Sequence, residues 1–143
     1  MSCCDTEKTI AAQRSCARCE SKGVQVAVTT VKALLTGDGL RRGVPQAPRF
    51  CATPSCPTVY FDDVSDRRVT ENELTVRVYA KHPGDVDVLV CYCFGYTSGS
   101  IREGQSQTSE DVRAQVETGH CACEVKNPRG ACCLGDIMKL ERA

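Results

Sequence analysis

The 143-residue sequence has no Trp and only three Phe and four Tyr. With so little aromatic volume, apolar burial alone is thin support for a chain of this length, which suits one compact unit or two very small lobes. No run of about 18 apolar residues occurs, which excludes a membrane-spanning helix by hydropathy. The opening residues Met1-Ser2-Cys3-Cys4-Asp5-Thr6-Glu7-Lys8 lack the apolar stretch of a secretory signal. Lys plus Arg equals Asp plus Glu at 18 each, and the basic residues are scattered, so no nucleic-acid footprint is visible. A nucleotide-binding loop, a motif of paired carboxylates and a Cys-His arrangement of familiar spacing are all missing, so a conventional enzyme is not expected. These absences predict a cytoplasmic protein with neither nucleic-acid partner nor membrane insertion.

Cysteine, by contrast, is abundant, at 12 residues. Such density means either a disulfide framework or metal ligands, and a reducing cytoplasm favours ligands. Occupied sites would also make the protein acidic, because four thiolates around Zn²⁺ leave a net charge of about −2.

The pattern along the chain predicts an α+β fold. Residues 1–15 read as a tail carrying Cys3 and Cys4. Residues 16–85 read as a small, mostly β lobe. Val24, Val26 and Val28 suggest a strand, Thr30 a cap for a helical turn through Leu35, and the glycines and prolines from Gly37 to Pro48 a loop. Arg49-Phe50-Cys51 and Thr58 to Phe61 flank a Pro-rich knuckle, and Leu74, Val76 and Val78 give the clearest strand alternation. Residues 86–143 read as a helical lobe: Val86 to Val90 lead into Cys91, Thr97 or Ser98 caps a helix with Ile101, Thr108 or Ser109 caps another ending at Gly119, and Cys133 to Arg142 forms the last.

Cys16-x2-Cys19 and Cys51-x4-Cys56 are short-spaced pairs, each able to chelate through one turn. Together they predict a closed, tetrahedral and therefore structural zinc site, although iron fits the same tetrahedron. Cys91-x-Cys93 is less typical of a zinc knuckle. With Cys121-Ala-Cys123 and Cys132-Cys133 it offers six thiols, whereas a [2Fe–2S] cluster takes two cysteines per iron.

The strings Cys91-Tyr92-Cys93-Phe94-Gly95-Tyr96-Thr97 and Cys123-Glu124-Val125-Lys126-Asn127-Pro128-Arg129-Gly130-Ala131-Cys132-Cys133 resemble the cluster-binding motifs of iron–sulfur metallochaperones. Preceded by the two zinc-type pairs and Val59-Tyr60-Phe61, they are similar in order to the N-terminal zinc/[2Fe–2S] domain of archaeal CopZ-type copper chaperones, whose cluster lobe is like bacterioferritin-associated ferredoxin (BFD-like). The resemblance spans residues from about 16 to 142 by motif position. It implies zinc on Cys16, Cys19, Cys51 and Cys56, and a [2Fe–2S] cluster on Cys91, Cys93, Cys123 and Cys133, with Cys132 as the alternate final ligand. The offset of Cys123 from Asn127-Pro128 and the position of Cys133 at the start of the last helix favour that set, because a helix N-terminus stabilises a thiolate. The resemblance also implies a soft cargo ion, copper or mercury, a metal-transporting ATPase or another acceptor, and the cluster as a one-electron reductant. An electron carrier without cargo and a cluster-based sensor are the alternatives.

Cys3, Cys4 and Cys121 are candidate ligands for the cargo, and His120 is a minor candidate for a cluster ligand. His82 is expected to be exposed. Asp62, Asp63 and Asp66 lack the spacing of a calcium loop and read as a solvated acidic turn. Tyr92, Phe94 and Tyr96 are expected to shield the cluster from water.

Overall fold

A computed structural model describes residues 15–103, 107–119 and 122–142; the expectations for Cys3, Cys4, His120 and Cys121 lie outside these residues. The architecture mixes helix and sheet. Strand β1 (Val24–Gln25) is followed by helices α1 (Val28–Leu34) and α2 (Gly37–Arg42), then by strands β2 (Pro48–Phe50), β3 (Thr58–Asp62) and β4 (Arg68–Thr70). These strands form one antiparallel sheet in the order β1-β2-β3-β4. All five residues of β3 are buried. Phe50 faces Tyr60 across the β2–β3 pair, and their rings meet edge to face with centroids 6.0 Å apart, which suits the aromatic quadrupoles.

Downstream, a small β5 (Leu89–Cys91)–β6 (Tyr96–Thr97) ladder leads to α3 (Ser98–Glu103), α4 (Gln107–Glu117), α5 (Cys123–Lys126) and α6 (Leu134–Arg142). Thr97 caps α3 as expected, its Oγ1 accepting from the Ser100 amide at 3.1 Å. Both α3 and α4 pack against α6, and α5 packs against α1. Two apolar cores result. One gathers Val31, Leu34, Phe50, Val59 and Tyr60 beneath the sheet; the other gathers Val90, Ile101, Val112, Ile137 and Leu140 among the later helices.

Several local expectations are corrected. The valine alternation ends early: β1 stops at Gln25, Val28 already begins α1, and the residue before that helix is Ala27 rather than Thr30. The stretch after Gly37 starts with a helix, because the Thr36 hydroxyl accepts the Gly39 amide at 3.1 Å and caps it. Leu74, Val76 and Val78 do not form a strand. Their neighbourhood spends its amides elsewhere: Leu74 donates to the Glu71 carbonyl, Thr75 to the Leu34 carbonyl, and Val78 to the Glu71 carboxylate at 2.7 Å. Leu74 and Val78 are nonetheless buried, so the alternation marks core contacts on an irregular path.

The acidic turn is corrected as well, since Asp62 and Asp63 are buried and only Asp66 is exposed. Asp62 accepts from the Gln46 and Ala47 amides and the Ser65 hydroxyl. Burial opposes its ionisation, but these hydrogen bonds outweigh it and hold the carboxyl below the usual range. Asp63 pairs with Arg49 at 2.7 Å. His82 is only partly exposed and sits 2.8 Å from the Glu71 carboxylate.

Candidate metal centres

The first cysteine quartet is assembled from two tight turns. Cys16 and Cys19 sit on a turn closed by the Glu20 amide donating to the Cys16 carbonyl at 2.7 Å, with Glu20 at φ 66°. Cys51 follows β2, where its amide donates to the Val59 carbonyl, and Cys56 closes the Pro-rich knuckle by donating to the Thr53 carbonyl at 3.1 Å. The four sulfurs all lie within 4.8 Å of one another, with Cys16–Cys56 at 3.8 Å and Cys19–Cys51 at 3.5 Å. Thiolates 2.3 Å from Zn²⁺ at the corners of a tetrahedron are about 3.8 Å apart, so the donor set fits zinc in number, chemistry and size.

The surroundings divide these thiols by charge. A hydrogen bond shared with the Thr53 hydroxyl, 3.3 Å away, holds Cys19 down to about 6. Burial pushes Cys51 up to about 11, although the Lys81 ammonium 3.7 Å from its sulfur opposes that rise. Phe61 covers the buried side of the quartet.

The second quartet is held by the later elements. Cys91 ends β5, and its carbonyl accepts the Gly95 amide at 2.9 Å. Cys123 opens α5, and the Cys133 carbonyl accepts the Ile137 amide at 3.0 Å, so Cys133 stands at the head of α6. Cys91, Cys123 and Cys133 are 0%, 6% and 1% exposed, whereas Cys132 is exposed to solvent. The sulfurs form a string: Cys91 is hydrogen-bonded to Cys133, Cys133 to Cys123, and Cys123 lies 3.6 Å from Cys93. Cys93 also accepts the Ala122 amide at 3.1 Å.

In this crowd, the bond from Cys133 lowers Cys91 to about 7. Cys133 itself is pushed upward by its bonds to Cys123 and Cys91 and by burial. The neighbouring sulfurs thus oppose the stabilisation expected from the start of α6. Among the described residues, the first quartet is the group of metal-ligating side chains packed as a mutual cage; the second is more open.

The aromatic residues divide their tasks. Phe94 and Tyr96 pack into the second core beside the cysteines. The Tyr92 hydroxyl instead accepts the Tyr79 amide at 3.0 Å and donates to the Arg77 carbonyl at 2.7 Å. Lys81 and Thr53 were not visible in the sequence as partners of the first quartet, since neither belongs to a cysteine motif. The lysine is delivered by a single 3₁₀ turn, Tyr79–Lys81.

Residues 13–75 match a family described as zf_CopZ, a zinc binding domain. That match covers the first quartet, so the chain carries a CopZ-like zinc-binding domain with a four-cysteine cluster. The chain is also 29% identical over 127 residues to the copper chaperone CopZ of Archaeoglobus fulgidus, covering 87% of this chain and 60% of that relative. In structure it is similar to the X-ray structure of the N-terminal domain of the same organism's CopZ, with a TM-score of 0.68, 29% identity and coverage of 88% of this chain and 96% of that one. No helix among the described residues is long and apolar enough to cross a membrane.

Proposed function

We propose that this chain is a metallochaperone unit for a soft metal ion, copper before mercury, with zinc on Cys16, Cys19, Cys51 and Cys56 and a [2Fe–2S] cluster on Cys91, Cys93, Cys123 and Cys133. It is a carrier that hands its ion to an acceptor such as a metal-transporting ATPase, in the cytoplasm, and not an enzyme. Residues 16–85 form the zinc lobe and residues 86–143 the BFD-like cluster lobe. The observation that carries the reading is the second quartet itself: four thiols set beside the second core, apart from the zinc cage, and strung from Cys91 through Cys133 and Cys123 to Cys93. A cluster with two cysteines on each iron matches such a string better than a single ion does.

The chain's own residues have definable parts. The first quartet leaves no open coordination position, so it holds the fold and does not exchange cargo. Cys91 and Cys93 stand on either side of Tyr92, which ties their loop to the backbone at residues 77 and 79. Phe94 and Tyr96 keep water from the second quartet. When bound, a [2Fe–2S] group supplies one electron at a time, the amount that converts Cu(II) to Cu(I). Cys3, Cys4 and Cys121 are the proposed thiols for the reduced ion.

Metal analysis of protein purified without air tests the reading: about one zinc and two irons per chain are expected, with acid-labile sulfide equal to iron. One iron without sulfide sinks the cluster. Cu(I) binding that disappears in Cys3→Ser/Cys4→Ser and Cys121→Ser variants supports cargo handling. Electron transfer without Cu(I) binding supports the simple carrier instead.

A further inference from the structure

Two hydrogen bonds tie the elements beside the first quartet to the loop that carries two cysteines of the second. Tyr60, in the middle of β3 and 0% exposed, donates its hydroxyl proton to the Pro128 carbonyl. Thr30, on α1 and 1% exposed, donates to the Glu124 carbonyl. Both donors belong to the zinc side of the molecule. Both acceptors lie in the stretch that runs from Cys123 to Cys133.

That stretch is stiff. Asn127 is 4% exposed; its Oδ1 accepts the Arg129 amide at 3.0 Å, and its Nδ2 donates to the Ala131 carbonyl at 2.9 Å. Gly130 takes φ +68°, and a Cβ there would stand 3.0 Å from Thr30 Oγ1 and 3.3 Å from Val26 Cγ1. Glycine therefore lets the loop lie directly on α1. Apolar packing contributes less on the other side, where a cavity of about 230 Å³ opens between Phe50, Val78, Val90 and Pro128. A stiff loop held at two carbonyls transmits the positions of β3 and α1 to both cysteines at its ends.

We infer that Tyr60 and Thr30 are positioning residues for the second quartet, setting where Cys123 and Cys133 stand relative to Cys91 and Cys93. The zinc lobe is then part of the frame of the other centre. The inference rests on the proposed cluster site, and it assigns that site two outer residues from a lobe that supplies none of its ligands. Removing the Tyr60 hydroxyl leaves the buried Pro128 carbonyl without its donor, and removing the Thr30 hydroxyl takes a partner from the part-buried Glu124 carbonyl.

The test uses the full chain as Tyr60→Phe and Thr30→Val, which keep the volume and delete the donor. Val69→Ala serves as the comparison, because it opens a cavity in the same core, on β4. After loading with zinc, ferrous iron and sulfide, the two hydroxyl variants should keep their zinc. They should lose iron to a chelator at least about fivefold faster than wild type, with an altered paramagnetic resonance of the reduced centre. Val69→Ala should melt earlier yet release iron at the wild-type rate.

A second arm needs no iron: in zinc-loaded protein, iodoacetamide should label Cys123 and Cys133 at least about fivefold faster in Tyr60→Phe and Thr30→Val. Equal labelling in all proteins overturns the positioning role, as does faster labelling in Val69→Ala of the same size. Failure of wild type to take up iron and sulfide removes the cluster reading alone, because the labelling arm still decides the role of the two hydroxyls.

Discussion

The Lys81 ammonium stands 3.7 Å from the Cys51 sulfur while donating to the Thr53 carbonyl at 2.7 Å. It places a positive charge against a cysteine whose thiol burial pushes up to about 11. A fully thiolate cage around Zn²⁺ carries about −2, and Lys81 offsets part of it. Lys81→Met should therefore lower zinc affinity by about 10- to 100-fold. Competition with a coloured chelator reads this directly, and an unchanged affinity reduces Lys81 to a packing role.

The cysteine motifs were legible because ligand spacing is local, so each turn closes without help from the rest of the chain. Cys16-x2-Cys19 and Cys51-x4-Cys56 do meet, at sulfur distances that suit one zinc. The later helices were legible in part for a related reason: Thr97 does cap α3, but Thr108 and Ser109, read as caps, lie inside α4, and the short α5 leaves no periodic trace. Long-range partners left no such trace. The alternation at Leu74, Val76 and Val78 looks like a strand, yet whether a strand forms depends on a neighbour with free backbone groups, which Leu34 and the Glu71 side chain pre-empt. Thr30 resembles a cap and instead donates to a carbonyl 94 residues away. Asp62 and Asp63 resemble a solvated turn because the amides and the guanidinium that accompany them come from residues 46, 47 and 49.

Acid sensitivity should be traceable to Glu73. Burial raises its carboxyl, but the Arg67 guanidinium, 2.7 Å away, and the Thr70 amide outweigh that and hold it below the ordinary value. A carboxyl depressed in the folded state stabilises above the unfolded value, about pH 4, and loses that contribution as pH falls through the folded one. Glu73→Gln should melt below wild type at pH 7, and the gap should narrow as pH falls below about 4. Zinc content measured in parallel separates this effect from acid release of the metal. A gap constant with pH contradicts the assignment.

Arg49 and Asp63 form a pair with side chains 8% and 4% exposed. Deleting one partner strands the other charge away from water. Asp63→Ala should cost about 3–5 kcal/mol in urea unfolding. A loss below about 1 kcal/mol, typical of surface pairs, shows that water reaches the guanidinium.

Cys132 and Cys133 differ in surroundings despite adjacency, one exposed and one 1% exposed. On the proposed cluster assignment, Cys132→Ser should leave the resonance of the reduced [2Fe–2S] centre nearly unchanged, while Cys133→Ser should weaken or abolish it. The reverse pattern transfers the final ligand to Cys132. Cys91→Ser and Cys93→Ser should both strip the centre, since no adjacent thiol stands ready to replace either.

The order of the quartets along the chain also gives them an order in time. Cys56 completes the first set, and 67 further residues (123 − 56) must be added before Cys123 exists. At about 5–20 residues per second, a ribosome takes roughly 3–13 s over that interval. The earlier thiols can thus capture zinc from the cell while the later ones are still being synthesised. Zinc capture in that interval would seat Tyr60 and Thr30 before the Pro128 loop is made, so that the last part of the polypeptide would dock onto a surface prepared ahead of it.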